Sequence, residues 1–185
     1  MENKDKFEKY KKLLCDWSRR MNLVAPSTLH DIDNRHIADS AQLADVLPKN
    51  IDIIDLGSGA GFPGIVLAIL GWRVTCIESI GKKVSFLSEV KKQLNLDNLT
   101  IYHGRVENYV AELPAQKQYI FTARAFAPLV KILDYVHKTN YKLFLLKGRD
   151  ILTEVETAKQ KYKFNFELIP SKTGDGFIII VKKSR

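Results

Sequence analysis

An apolar run that carries an acid near its end, Ile51-Asp52-Ile53-Ile54-Asp55-Leu56, leads directly into Gly57-Ser58-Gly59-Ala60-Gly61-Phe62-Pro63-Gly64. This reads as a short buried strand, a glycine-rich turn and the start of a helix. Glycines in alternate positions leave bare backbone and permit the left-handed conformations that a tight turn needs. Pro63 suits the first helical turn, where no amide hydrogen is required. A unit of this kind buries its strand only inside a larger parallel sheet covered by helices.

The rest of the chain supplies that sheet. Strand-like runs follow at Arg73–Glu78, Leu99–His103, Tyr119–Ala123, Lys142–Leu146, Asn165–Ile169 and Phe177–Lys182. Helical stretches are expected between most of them, at 64–70, 82–94, 106–113, 129–137 and 151–162. Such alternation predicts a parallel sheet with helices on both faces. Only Ser171-Lys172-Thr173-Gly174-Asp175-Gly176 separates the last two runs. That is too short for a helical crossover but right for a hairpin. The expected fold is α/β and Rossmann-like, a seven-stranded mostly parallel sheet with an antiparallel last strand.

Ahead of it, residues 1–47 read as a helical extension, and 48–185 as one compact catalytic unit. Phe7, Tyr10, Leu14, Trp17 and Met21 step by three and four, forming one apolar stripe. A second helix is expected from His36 to Leu47, before the break at Pro48-Lys49-Asn50.

Two ligand classes compete for the glycine turn. Gly59 to Gly64 formally matches the dinucleotide fingerprint, which would make the chain an NAD-dependent oxidoreductase. In that fingerprint, however, the first glycine immediately follows the strand, and here that residue is Gly57. Asp55 would also set a carboxylate near a pyrophosphate. A cationic nucleoside suits the acid better. S-adenosylmethionine (SAM), with its sulfonium and ammonium, meets that requirement, and Asp55 would help hold the ammonium directly or through water. Glu78 ends the second strand, where an acid accepts both ribose hydroxyls. Val106 and Glu107 follow the third strand and suit an adenine face and its amino group. Arg124, after the fourth, faces the same rim and suits either the methionine carboxylate or an RNA phosphate.

Composition narrows the partner. The 185-residue chain carries a formal charge of +8, which favours an anionic partner, nucleic acid first. No run of about 18 apolar residues exists to span a membrane, and the polar start (Met1-Glu2-Asn3-Lys4) does not read as a signal peptide. Cys15 and Cys76 form neither a metal-ligand cluster nor a disulfide framework, so a cytoplasmic protein without metal is expected. No long heptad pattern demands a dimer, so a monomer is expected.

Absent motifs speak to the chemistry. An Asn/Asp-Pro-Pro-aromatic segment, used on exocyclic amines, is missing after the fourth strand, which reads Arg124-Ala125-Phe126-Ala127-Pro128. Neither cysteine is placed as a nucleophile for pyrimidine carbon 5. No general base is assigned. Guanine N7 needs none, because its in-plane lone pair is free at neutral pH and only has to be held in line, about 3 Å from the methyl group.

With these residues in view, the chain resembles the bacterial 16S ribosomal RNA guanine-N7 methyltransferases, also called glucose-inhibited division protein B. The resemblance covers nearly the whole chain. It rests on Trp17-Ser18-Arg19-Arg20-Met21-Asn22-Leu23, Arg35-His36-Ile37-Ala38-Asp39-Ser40, the segment from Asp55 to Gly64, Gly104-Arg105-Val106-Glu107, Arg124-Ala125-Phe126-Ala127 and Leu146-Lys147-Gly148. It implies SAM-dependent transfer to N7 of one guanine in the decoding region, with 16S rRNA or the small ribosomal subunit as partner. It also implies cofactor contacts at Gly57, Phe62, Val106, Glu107 and Arg124, to which the loop-and-acid reasoning adds Asp55, Gly59 and Glu78. RNA is expected to meet Arg19, Arg20, Arg35, His36, Lys147 and Arg149 around the pocket mouth. A non-catalytic RNA-binding protein on the same fold is the other alternative.

Overall fold

The computed structural model describes residues 2–114 and 116–184. Helix α1 (Asn3–Ser18) comes first. A string of short turns follows: a 3-10 helix over Pro26–Asp31, a π-helix over Asp33–Ala38, α2 (Asp39–Ala41) and a 3-10 helix over Gln42–Asp45. The sheet then builds from β1 (Asp52–Leu56), β2 (Arg73–Glu78), β3 (Leu99–His103), β4 (Gln118–Arg124), β5 (Asn140–Lys147), β6 (Phe164–Pro170) and β7 (Phe177–Lys183). Helices α3 (Gly64–Ile69), α4 (Gly81–Leu94), α5 (Val106–Ala111), α6 (Leu129–Val136) and α7 (Ile151–Lys159) connect the first six strands.

Strand order is β3-β2-β1-β4-β5-β7-β6. The first five strands run parallel, and β7 inserts antiparallel between β5 and β6. The chain goes outward from β1 to β3 and then returns to lay β4 on β1's other side. Ligands bind outside the carboxyl ends of the strands at such a reversal, and the glycine turn leaves β1 there.

Side-chain alternation along each strand feeds two cores. Ile53, Phe144, Leu146, Ile178 and Ile180 face α1, α3 and α4. Ile54, Leu143, Leu145, Ile179 and Val181 face α5, α6 and α7. The central strands β1, β4 and β5 are buried on both faces, which is why they read as nearly continuous apolar runs. Among the described residues no helix is long and apolar enough to cross a membrane.

The expected stripe on α1 packs as predicted at its centre, where Tyr10 and Leu14 are fully buried. The helix ends at Ser18, so Met21 lies beyond it. The helix expected from His36 to Leu47 forms over 33–45 as one irregular helical run, π, then α, then 3-10, rather than as a regular α-helix. Its polar residues are also drawn into tertiary bonds. The Gln42 amide bonds to Asp39, Ser171 and the Lys172 backbone, and Thr173 Oγ1 donates to Asp39 at 3.0 Å. These contacts tie the segment to the β6–β7 turn, an interaction that local periodicity does not reveal.

Tyr10 also crosses to the glycine turn. Its hydroxyl donates to the Ala60 carbonyl at 2.6 Å inside the core. Tyr10→Phe would leave that carbonyl buried and unpaired. A loss of about 1 to 3 kcal/mol in unfolding free energy is expected, measured by urea titration.

Candidate cofactor and acceptor site

A cleft of about 500 Å³ opens at the carboxyl ends of β1, β2, β3 and β4. Its walls include Gly57, Gly59, Phe62, Glu78, Val106, Glu107 and Arg124, so seven of the eight residues expected at a cofactor come together there. The eighth, Asp55, does not.

Asp55 is enclosed completely. Parallel register sets it beside Cys76 on β2 and Thr122 on β4. Its carboxylate accepts from the Gly64 backbone N–H at 3.1 Å and sits 3.4 Å from Thr122 Oγ1 and 3.9 Å from Cys76 Sγ. Burial pushes its pKa up to about 6 against those stabilising bonds. The expectation that Asp55 faces a ligand is therefore corrected: the acid pins the far end of the glycine turn to the sheet. A side chain at Gly64 would collide with it, since a Cβ there would lie 2.6 Å from Asp55 Oδ2 and 2.5 Å from Cys76 Sγ. Cys76 is itself fully buried and lines neither this cleft nor the one adjoining it, and burial, then the neighbouring Asp55, push its thiol well up.

Glu78 pins the near end of the turn. One carboxylate oxygen accepts from Gly59 N–H at 2.9 Å and the other from Ile80 N–H at 2.8 Å. Each oxygen keeps a lone pair, and the side chain lines the cleft, so it remains able to receive ribose hydroxyls. Gly57 has φ +66°, and a Cβ there would fall 2.2 Å from Phe126 Cδ2. The Phe126 ring thus lies directly on bare backbone.

Arg124 makes three bonds at the other wall. Nε meets Asp39 Oδ2 at 3.0 Å, one terminal nitrogen donates to His36 Nδ1 at 2.9 Å, and the other to the Arg35 carbonyl at 2.9 Å. Five donors minus three leaves one N–H on each terminal nitrogen, available to an anionic group such as a carboxylate. Because a guanidinium only donates, His36 Nδ1 must accept. Its Nε2–H then donates to Thr28 Oγ1 at 2.8 Å, and Thr28 donates onward to the Ala25 carbonyl at 2.7 Å. Burial, followed by the Arg124 and Arg35 cations, pushes the His36 pKa down to about 4. His36 also stacks on Phe62, centroid to centroid 5.0 Å. It is 6% exposed, so the expectation of an RNA contact at His36 is corrected: the imidazole holds Arg124.

A second cleft of about 550 Å³ adjoins the first, and His36, Arg124, Ala125 and Phe126 form the shared wall. Its far side includes Gly148, Ser171, Thr173 and Phe177. Sequence reasoning missed Phe126, although it lies within the quoted Arg124-Ala125-Phe126-Ala127 segment. It also missed Arg105, within the quoted Gly104-Arg105-Val106-Glu107 segment, and Lys83 and Tyr135, which line the first cleft without a motif of their own.

The expected RNA cations divide. Arg19, Arg20, Arg35 and Arg149 are exposed. Lys147 is not free: its ammonium donates to the Ala127 carbonyl at 2.6 Å and pairs with Glu154 at 2.7 Å, with the side chain 10% exposed. A surface phosphate contact from Lys147 is corrected accordingly, since that contact would break a shielded ion pair.

The family described as rRNA small subunit methyltransferase G (GidB) matches residues 3–173. The chain belongs to this family. It is 38% identical over 190 residues to the ribosomal RNA small subunit methyltransferase G of Hyphomonas neptunium, covering 98% of this chain and 88% of that one. Among solved structures, a methyltransferase from Geobacter sulfurreducens superposes with TM-score 0.61 at 14% identity, over 95% of this chain and 89% of its own. A variant of MtNAS in complex with S-adenosylmethionine reaches TM-score 0.64 at 16% identity, over 99% and 76%. The family leaves the dinucleotide reading of the glycine turn without support. SAM is the cofactor of the family, and the cleft suits it: backbone that no side chain may replace at Gly57, an acid at the end of β2, and a half-used guanidinium opposite.

Two outcomes are expected. Gly57→Ala forces Phe126 off the turn and lowers SAM affinity at least about tenfold, by calorimetric titration. His36 is a base whose folded pKa lies below its unfolded value of 6.5. Its stabilising contribution is complete above that value and is lost as pH falls toward about 4. Asp55, raised to about 6, works in the opposite direction: its ionisation costs stability as pH rises through that range. His36→Gln retains Asp55 and loses only the histidine's share. The urea midpoint of the variant should therefore fall less than that of the parent between neutral pH and pH about 4.5.

Proposed function

We propose that this chain transfers a methyl group from SAM to N7 of a guanine in the decoding region of small-subunit rRNA. The observation that carries the reading is the pair of clefts sharing one wall, with the first at the β1–β4 switch point. SAM bound in the first cleft supplies an electrophilic methyl carbon on its sulfonium. Glu78 takes the ribose, Val106 and Glu107 border the adenine, and the free N–H fork of Arg124 takes the methionine carboxylate. The guanine enters the second cleft with N7 in line with the methyl–sulfur bond. Its lone pair forms the new N–C bond while the C–S electrons return to sulfur, and no proton has to leave.

That balance fits the side chains available. His36 is neutral, with both ring nitrogens engaged, so it offers no lone pair as a general base. Catalysis then rests on positioning and on excluding water. The extension over 1–47 closes one side of both clefts through Leu23, Val24, Ala25, Thr28 and His36, which supports treating 48–185 as the catalytic unit and the extension as its partner wall. The reading takes the chain as a cytoplasmic monomer.

Labelled SAM incubated with small subunits that lack the modification should place the label on one guanine, which borohydride and aniline then locate by strand scission. Label on an exocyclic amine, or none on rRNA, would sink the reading. Glu78→Ala should weaken SAM binding about tenfold or more without unfolding the protein. RNA affinity should fall at least about tenfold between about 50 and 200 mM salt, because several phosphate contacts release counterions.

A further inference from the structure

Leu13, Asp16, Trp17, Arg20 and Met21 recur at three- and four-residue steps, so they line one side of α1 and the turn after it. Together with Lys82 and Ser85 of α4 they enclose a groove of about 470 Å³ that the methyl-transfer site does not use. Its floor is apolar. Trp17 is half-buried against Phe86, with centroids 5.6 Å apart. Its rim is cationic. Arg20 and Lys82 make no ion pair among the described residues, whereas Asp16 lies 3.7 Å from the largely exposed Arg19.

The groove lies next to the cofactor cleft, on the other side of one helical turn. Lys83 lines the cleft and Lys82 lines the groove, so the first turn of α4 is the ridge between them. Ile80, which begins that ridge, is 49% exposed, one of two large apolar side chains left so open among the described residues. An indole edged by unpaired cations, near an exposed isoleucine, has the chemistry that binds an unstacked base and its flanking phosphates. A protein segment would match Arg20 and Lys82 only if it carried acids at both places, whereas every nucleotide brings a phosphate with its base.

We propose that this groove holds a single-stranded base of the substrate RNA, stacked on Trp17 and gripped at its phosphates by Arg20 and Lys82, some distance from the methylated guanine. The inference rests on the rRNA-methyltransferase reading. It makes α1 a specificity element: the enzyme engages a second, unpaired nucleotide, and RNA lacking that nucleotide binds less well.

The test exploits tryptophan. The chain has two, and Trp72 is buried, donating to the Pro48 carbonyl, just before the amino end of β2. In a Trp72→Phe background, titration with a protein-free small-subunit rRNA transcript should quench Trp17 fluorescence. Trp17→Phe should hold RNA affinity within about threefold, while Trp17→Leu, which fills space but cannot stack, loses about tenfold. Arg20→Glu with Lys82→Glu should raise KM for RNA about tenfold or more and leave SAM affinity and kcat at saturating RNA unchanged. Normal methyl transfer with no quenching and no effect of the charge reversals would overturn the groove while leaving the enzymatic reading intact. Quenching by whole subunits but not by bare transcript would overturn it in favour of a protein partner. Failure of the parent protein to methylate or bind any rRNA would overturn both.

Discussion

The site depends on a carboxylate that solvent does not reach. Asp55 lies at the switch point of the sheet, shut away from solvent between its register partners Cys76 and Thr122. A buried acid is costly unless bonded, and its carboxylate takes the amide hydrogen of Gly64, at the far end of the glycine turn, at 3.1 Å. Glu78 does the same for the near end through Gly59. The turn is thus held at both ends by acids from adjacent strands, and the backbone between them, overlaid by Phe126, becomes a rigid floor. A preorganised floor matters because binding free energy otherwise goes into ordering the loop.

The second determinant is Arg124 at the end of β4. It binds three groups of the N-terminal segment at once: the Asp39 carboxylate, the His36 ring and the Arg35 carbonyl. The π-helical turn over Asp33–Ala38 sets two of those three groups toward the sheet, a use consistent with the frequent appearance of π turns at functional sites. Asp39 in turn accepts from Gln42 and Thr173. A single guanidinium therefore joins the extension, the parallel half of the sheet and the β6–β7 hairpin, and it forms part of the wall between the two clefts. Its position explains how a neutral, fully bonded histidine belongs in an active site: it orients a cation without transferring a proton.

Much of this was legible in the residues themselves. The alternation of apolar runs with helical periods places all seven strands within two residues of their observed bounds, and the short Ser171–Gly176 connection marks the antiparallel hairpin. The glycine turn and Glu78 locate the cofactor end of the sheet, because a parallel strand followed by such a turn has one physical solution. Asp55 was noticed for the right reason, a charge at a strand end, yet given the wrong partner. Facing a ligand or facing one's own backbone is decided by what packs over that face of the sheet, here the end of the glycine turn at Gly64, and sequence spacing does not report that. His36 and Lys147 read as free positive groups for a similar reason: Arg124 and Glu154, the groups that occupy them, lie 88 and 7 residues away.

The sequence by itself determined the sheet, the turn and the class of ligand that the turn admits, since period, glycine placement and charge are local properties. Tertiary structure alone decided which acids meet solvent, which cations stay unpaired and where the second cleft opens. Those outcomes depend on contacts between segments far apart in the chain, and burial there reverses the behaviour that the same side chain would show at the surface.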